Sequence, residues 1–195
     1  METLNIPLFP LQTVLFPEGP LPLRIFEPRY LEMVSQCMKT ESPFGVCLIR
    51  EGQEVGPAPD GYSIGTLATI VDWNRLPDGL LGIVAEGGER FSIESTATQP
   101  NQLLVGQVVL LPEDPIVPVP EKHRMLVNLV RHVFEERQDL YAGAENRFDD
   151  AGWVSFRLAE SLPLDLSFKQ RLLEISSPLE RLAELQAVVN ELADG

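Results

Sequence analysis

The chain has 195 residues, room for one domain or two small ones, with the 44% hydrophobic and 23% charged content of an ordinary globular protein. Its 29 acidic residues against 15 basic ones give a net charge of −14, which argues against a nucleic-acid backbone or an anionic membrane as the main partner. The start Met1-Glu2-Thr3-Leu4-Asn5 has no secretory-leader pattern, and no apolar run approaches the ~18 residues of a membrane span.

In chain order, Ile6-Pro7-Leu8-Phe9-Pro10-Leu11, Val14-Leu15-Phe16-Pro17 and the stretch on to Leu23-Arg24-Ile25-Phe26 combine prolines with large apolar residues. Proline fixes φ and lacks an amide donor, so short extended pieces bent at each proline are expected, with no central helix or long paired strand. Glu27-Pro28 reads as a helix start, proline at the first helical position and the acid near the positive dipole end. Leu31, Val34 and Met38 recur at helical spacing over Pro28 to Lys39, with Tyr30 and Cys37 beside them. Phe44 to Ile49 suits a buried strand, Gly52 to Gly61 a loop, and Ser63 to Asp72 another strand. Leu76-Pro77-Asp78-Gly79 turns into a strand at Leu80 to Ala85, and Gly87-Gly88 is expected to close a hairpin into Arg90 to Thr98. Leu103 to Leu111 completes a β-rich part, residues 1–112, whose many short strands suggest a small barrel or sandwich.

Residues 113–120, bounded by Pro112 and Pro120, read as a proline-rich linker. Beyond it, over residues 121–195, the hydrophobic period becomes helical. Leu126, Leu129, Val130, Val133 and Phe134 line one face; Asp149 or Asp150 caps a second helix carrying Trp153, Phe156 and Leu158. Ser167-x-x-Gln170 has the capping-box spacing for a third helix. Ser177-Pro178-Leu179-Glu180 starts a fourth, striped by Leu182, Leu185, Val189 and Leu192. The two cysteines, Cys37 and Cys47, sit in apolar patterns and read as buried free thiols of a reducing, cytoplasmic setting.

The opening Ile6-Pro7-Leu8-Phe9-Pro10-Leu11 through Leu23-Arg24-Ile25-Phe26-Glu27-Pro28-Arg29-Tyr30-Leu31 closely resembles the start of the Lon substrate-binding domain family. The resemblance continues at Phe44-Gly45-Val46-Cys47-Leu48-Ile49, Ile64-Gly65-Thr66 and Gly88-Glu89-Arg90-Phe91, and covers nearly the whole chain. It implies an α+β fold, a PUA-like β pseudobarrel with one inserted helix followed by a C-terminal helical bundle. It also implies a free-standing bacterial form of the Lon protease N-terminal domain, lacking the ATPase and protease domains. The implied function is non-catalytic recognition of unfolded or degron-bearing polypeptides, with delivery to a protease, and with no cofactor.

Candidate chemistry elsewhere is sparse. Gly61-Tyr62-Ser63-Ile64-Gly65 matches the G-x-S-x-G nucleophile elbow, which would make a small serine esterase of Ser63. An elbow needs a strand before the serine and a helix after it; here a loop precedes and the β-like Thr66 to Val71 follows, so the match reads as coincidental. No G-x-x-x-x-G-K-[ST] loop exists for ATP phosphates, and Lys39, Lys122 and Lys169 belong to no recognisable Ser–Lys protease segment. His123 and His132 lie on one helical pattern at a spacing that does not bring both to one metal ion, and no paired C-x-x-C occurs. PUA-like domains elsewhere bind RNA, but the acidic charge opposes that reading.

Arg24, Glu27 and Arg29 carry two readings. They form a buried ion-pair latch locking the first helix to the barrel, or they present a guanidinium to a bound polypeptide. Phe9, Leu11, Phe16 and Leu21 exceed what proline-bent segments usually hide, and Phe16, beside Pro17 and Gly19, is expected to face solvent. The candidate polypeptide-binding residues are therefore Phe16, Arg24, Glu27 and Arg29, in a cleft between barrel and helices or along an exposed strand edge.

Overall fold

The computed structural model describes residues 3–54, 56, 60–137, 141 and 145–194. The chain forms two compact units, Met1–Pro112 and Glu113–Gly195. The first contains six strands and one helix: β1 (Thr3–Leu11), β2 (Pro20–Ile25), α1 (Pro28–Thr40), β3 (Phe44–Glu51), β4 (Asp60–Arg75), β5 (Leu81–Thr98) and β6 (Leu104–Leu110). The sheet is mixed, in the order β2-β5-β4-β3-β1-β6, and β5 also pairs with β6. The pairings therefore close a ring of β1, β3, β4, β5 and β6, with β2 attached outside on β5.

β1 corrects the expectation of short bent pieces: it is a nine-residue strand containing Pro7 and Pro10. It tolerates them because its partners divide it. Thr3 to Leu8 pairs antiparallel with β6, and Leu8 to Leu11 pairs parallel with β3. Each proline thus has a partner on one edge only, which leaves the other edge for the missing donor.

The Gly87-Gly88 hairpin is also overturned, since β5 runs unbroken for 18 residues from Leu81 to Thr98. A Cβ on Gly87 would overlap the Phe16 carbonyl oxygen, so the glycine serves close approach of the segment after β1. Glu18 N–H donates to Gly87 O and Gly87 N–H to Gly19 O, at 2.7 and 2.9 Å. A two-glycine turn signal and a close-approach signal look alike in sequence.

α1 starts where expected, on extended Glu27 with Pro28 in its first turn, and ends on left-handed Glu41. Its buried stripe is Tyr30, Met33, Val34 and Cys37; Leu31 and Met38 lie on the solvent side. Two registers of the same helical period compete in this segment, and only the sheet selects one. α1 packs with Phe9, Leu11, Ile25, Phe44, Val46 and Ile83 into one core cluster, while Ile6, Leu8, Leu67, Phe91 and Val108 form a second.

The second unit holds α2 (Arg124–Glu136), α3 (Ala151–Ser161), α4 (Leu166–Glu174) and α5 (Pro178–Asp194), preceded by a 3₁₀ turn at Glu121–His123. Asp150 caps α3, its Oδ1 accepting from Gly152 N at 3.0 Å. α4 begins at Asp165, placing Ser167 and Gln170 inside the helix, so the capping-box reading fails there. Leu182, Leu185 and Val189 are buried on α5, but Leu192 is exposed.

The proline-rich segment is bonded into this unit. Val119 N–H donates to Asp149 O and Ala151 N–H to Val117 O. Asp114 accepts from Arg181 Nη2 at 2.7 Å. No helix among the described residues is long and apolar enough to cross a membrane.

Candidate functional site

The corner between β2 and α1 separates its three charged residues. Arg29 is buried, with 4% of its surface exposed. Its guanidinium donates to the carbonyls of Gln102 (3.0 Å) and Glu54 (3.2 Å) and pairs with Glu27 at 3.0 Å. It also lies 4.7 Å over the Tyr30 ring, whose other face stacks on Phe9 at 3.8 Å. One side chain thereby fastens the start of α1 to the segment after β3 and to the β5–β6 turn. This is the latch geometry for Glu27 and Arg29. Burial also pushes the Tyr30 hydroxyl up to about 12, the Arg29 charge opposing.

Arg24 takes no part in it. It pairs with Asp78 in the β4–β5 turn, and both side chains are well exposed. Such a pair contributes about 0–1 kcal/mol, so the guanidinium is available to another carboxylate or carbonyl at little cost.

Phe16 overturns its expected exposure: it is 1% exposed. The Leu15-Phe16 backbone is held from both sides, Thr66 Oγ1 donating to Leu15 O at 2.6 Å and Gly19 N–H to Phe16 O at 3.0 Å. Phe9 and Leu11 are likewise buried, and Leu21 is half-buried. Tertiary packing buries these side chains, which local sequence could not reveal.

Among the described residues, the exposed large apolar side chains of the first unit are instead Phe26, Leu31, Met38, Val71 and Trp73. Trp73 stands opposite Ile83, which stands opposite Leu23 on β2, so the three share one face of the β2–β5–β4 ribbon. Ile83 is in the core, whereas its cross-strand partner Trp73 is 59% exposed. Phe26, on the corner after β2, is 53% exposed. The sequence signal for Trp73 was a lone tryptophan among Asp72, Asn74 and Arg75 at a strand end.

Ser63 lies within β4, followed by more strand, which is no nucleophile elbow. The glycines around it have packing reasons. A Cβ at Gly65 would overlap Val46 O and press on the Phe91 ring, and one at Gly61 would sit 3.1 Å from Cys47 Sγ. Among the described residues no group of three or more His, Cys, Asp or Glu side chains could hold a metal ion. His123 is buried beside Gln186, and His132 pairs with Glu136 on the surface.

The chain is α+β, with Arg29 buried at the β2–α1 corner and Arg24, Phe26 and Trp73 exposed. The chain belongs to the ATP-dependent protease La (LON) substrate-binding domain family, which it matches over residues 5–191. It resembles the crystal structure of a Lon N-terminal domain protein from Xanthomonas campestris, with 34% identity and TM-score 0.77 over 94% of this chain and 98% of that one. The N-terminal domain of Mycobacterium avium complex Lon protease shares the fold, at TM-score 0.63 and 18% identity over 93% of this chain and 95% of that one. Lon protease from Parabacteroides distasonis is 28% identical over 95% of this chain and 24% of its own length. Lon protease 1 from Thermus thermophilus gives the same three values. The chain therefore spans about a quarter of the length of these curated relatives.

Proposed function

We propose that this chain recognises polypeptides, unfolded or degron-bearing, and presents them to a protease as an adaptor in cytoplasmic protein quality control. The observation that carries this reading is the family match over residues 5–191. The exposed aromatics add a means: Trp73 and Phe26 supply apolar contact area, and Arg24 orients the client through its carbonyls or a carboxylate. Glu27 and Arg29 act at one remove, by fixing the corner that carries Phe26. In this reading the strand ring is a PUA-like pseudobarrel, the four helices are a bundle, and residues 113–120 join the two.

The test uses the two tryptophans, one exposed at Trp73 and one buried at Trp153. A permanently unfolded, carboxamidomethylated protein is titrated in, with its folded counterpart as control. Binding of the unfolded form alone, with a blue shift of the emission that Trp73→Phe abolishes, is the expected result. An unchanged spectrum together with unchanged anisotropy of the labelled unfolded protein would refute the reading.

A further inference from the structure

Among the described residues, the wall of the strand ring opens between β4 and β5. The β4–β5 ladder ends with Ile64 opposite Ser92, yet both strands run on, β4 back to Asp60 and β5 forward to Thr98. Beyond that point each has its ladder on the far side only: Gly61 and Asp60 pair with β3, and Ser95 to Thr98 with β6. The separation has a local cause. Glu94 is an extra residue between Ile93 and Ser95 in the β5–β6 register, a bulge that bends β5 just past its last pair with β4.

Between the parted strands lies a cavity of about 260 Å³. Its apolar lining comes from Leu8, Pro10, Cys47, Ile93 and Leu104, and its polar lining includes Tyr62, Ser63 and Ser95 with the carboxylates of Asp60 and Glu94. Among the described residues no basic side chain lines it. Asp60 is engaged by Arg50, whereas Glu94 has no hydrogen-bond or ion-pair partner among the described residues. The volume is just below the ~300 Å³ at which small-molecule pockets begin, the scale of one long side chain with its main chain.

We propose that this seam is a strand-addition site: an extended polypeptide segment enters between Asp60–Ser63 and Ile93–Thr96 and places a lysine or arginine side chain in the cavity. The unpaired strand edges offer main-chain hydrogen bonds irrespective of sequence, the apolar lining receives the aliphatic stem, and Glu94 receives the cationic head. The chain's net charge of −14 also favours a cationic client at longer range. This inference rests on the polypeptide-recognition reading and names the segment that such a site selects.

The experiment uses the full chain and a fluorescein-labelled seven-residue peptide of alternating threonine and valine with a central lysine. Its partner peptide carries glutamate at the centre. Anisotropy gives affinities, and amide hydrogen exchange by NMR locates the contact. The expected result is slowed exchange at Tyr62, Ser63, Ser95 and Thr96, tighter binding of the lysine peptide, and a loss of about tenfold on Glu94→Gln. Equal affinity for both peptides, or binding without protection in the seam, would overturn the inference. If the lysine peptide fails while the unfolded protein still shifts Trp73, the seam is refuted and recognition stands; if neither binds, both fall.

Discussion

At the scale of single residues, Arg24 and Arg29 show how burial sorts one charge type into two roles. Removing a buried partner strands the group it served, whereas an exposed pair is nearly neutral. Arg29→Ala should lower unfolding free energy by about 3 kcal/mol, because Glu27 and the carbonyls of Gln102 and Glu54 lose their donor together. Arg24→Ala should stay within about 0.5 kcal/mol of wild type while weakening polypeptide binding. Urea melts beside the anisotropy titration check both. Cys47 gives a pH prediction. Burial, then the Asp60 charge, pushes its thiol from 9.0 up to about 12. Between those values the unfolded thiol ionises while the native one keeps its proton, so this contribution to stability falls as pH rises. The fall is about 1.4 kcal/mol per pH unit in that window. Melts at about pH 8, 9.5 and 11 should show a shallower decline for Cys47→Ala than for wild type.

At the scale of elements, prolines decide which edges of the sheet are usable. Gly87 N–H donates to Gly19 O, which makes Pro20 opposite Glu86 a non-hydrogen-bonded pair. By alternation Pro22 and Arg24 occupy the same kind of position, with main-chain groups turned to the open side of β2. Two of these three lack an N–H, so the β2 edge, which pairs with no second strand among the described residues, repels strand pairing. Pro22→Val should restore a donor there and raise self-association, measured as a larger weight-average mass in sedimentation equilibrium; a mass equal to that of wild type would refute the edge argument. Much of this level was legible beforehand. The start of α1, most strand positions and an aspartate cap at 149 or 150 followed from local chemistry. The hairpin at Gly87-Gly88 and the Leu31/Met38 stripe did not, because a glycine pair and a helical period each fit two arrangements locally. The choice lay with the contact between Gly87 and the Phe16 carbonyl, and with the core that takes Tyr30 and Met33.

At the scale of the whole molecule, each unit is knitted by an arginine reaching far along the sequence. In the second unit Arg181 is fully buried, donating to Leu172 O (3.0 Å), Ser155 Oγ (2.9 Å), Ile175 O (2.6 Å) and Asp114 (2.7 Å). Its guanidinium lies 3.7 Å over the Phe156 ring. Arg181→Ala leaves the Asp114 carboxylate and two carbonyls without this donor, and should cost about 3–5 kcal/mol in the unfolding of the second unit, read by urea titration of Trp153 fluorescence. A loss below about 1 kcal/mol would show that the network is dispensable. The sequence by itself determined the α+β class, the change from strands to helices near Pro112, the buried free thiols and the family. Those depend on period, capping and motif order, which are local. Which arginine is pinned and which is free, that Phe16 is covered, that Trp73 is displayed, and that β4 and β5 part beside Glu94 were decided only by the tertiary structure. Each follows from ring closure and bulge position, which bring together residues dozens of positions apart and leave no local trace.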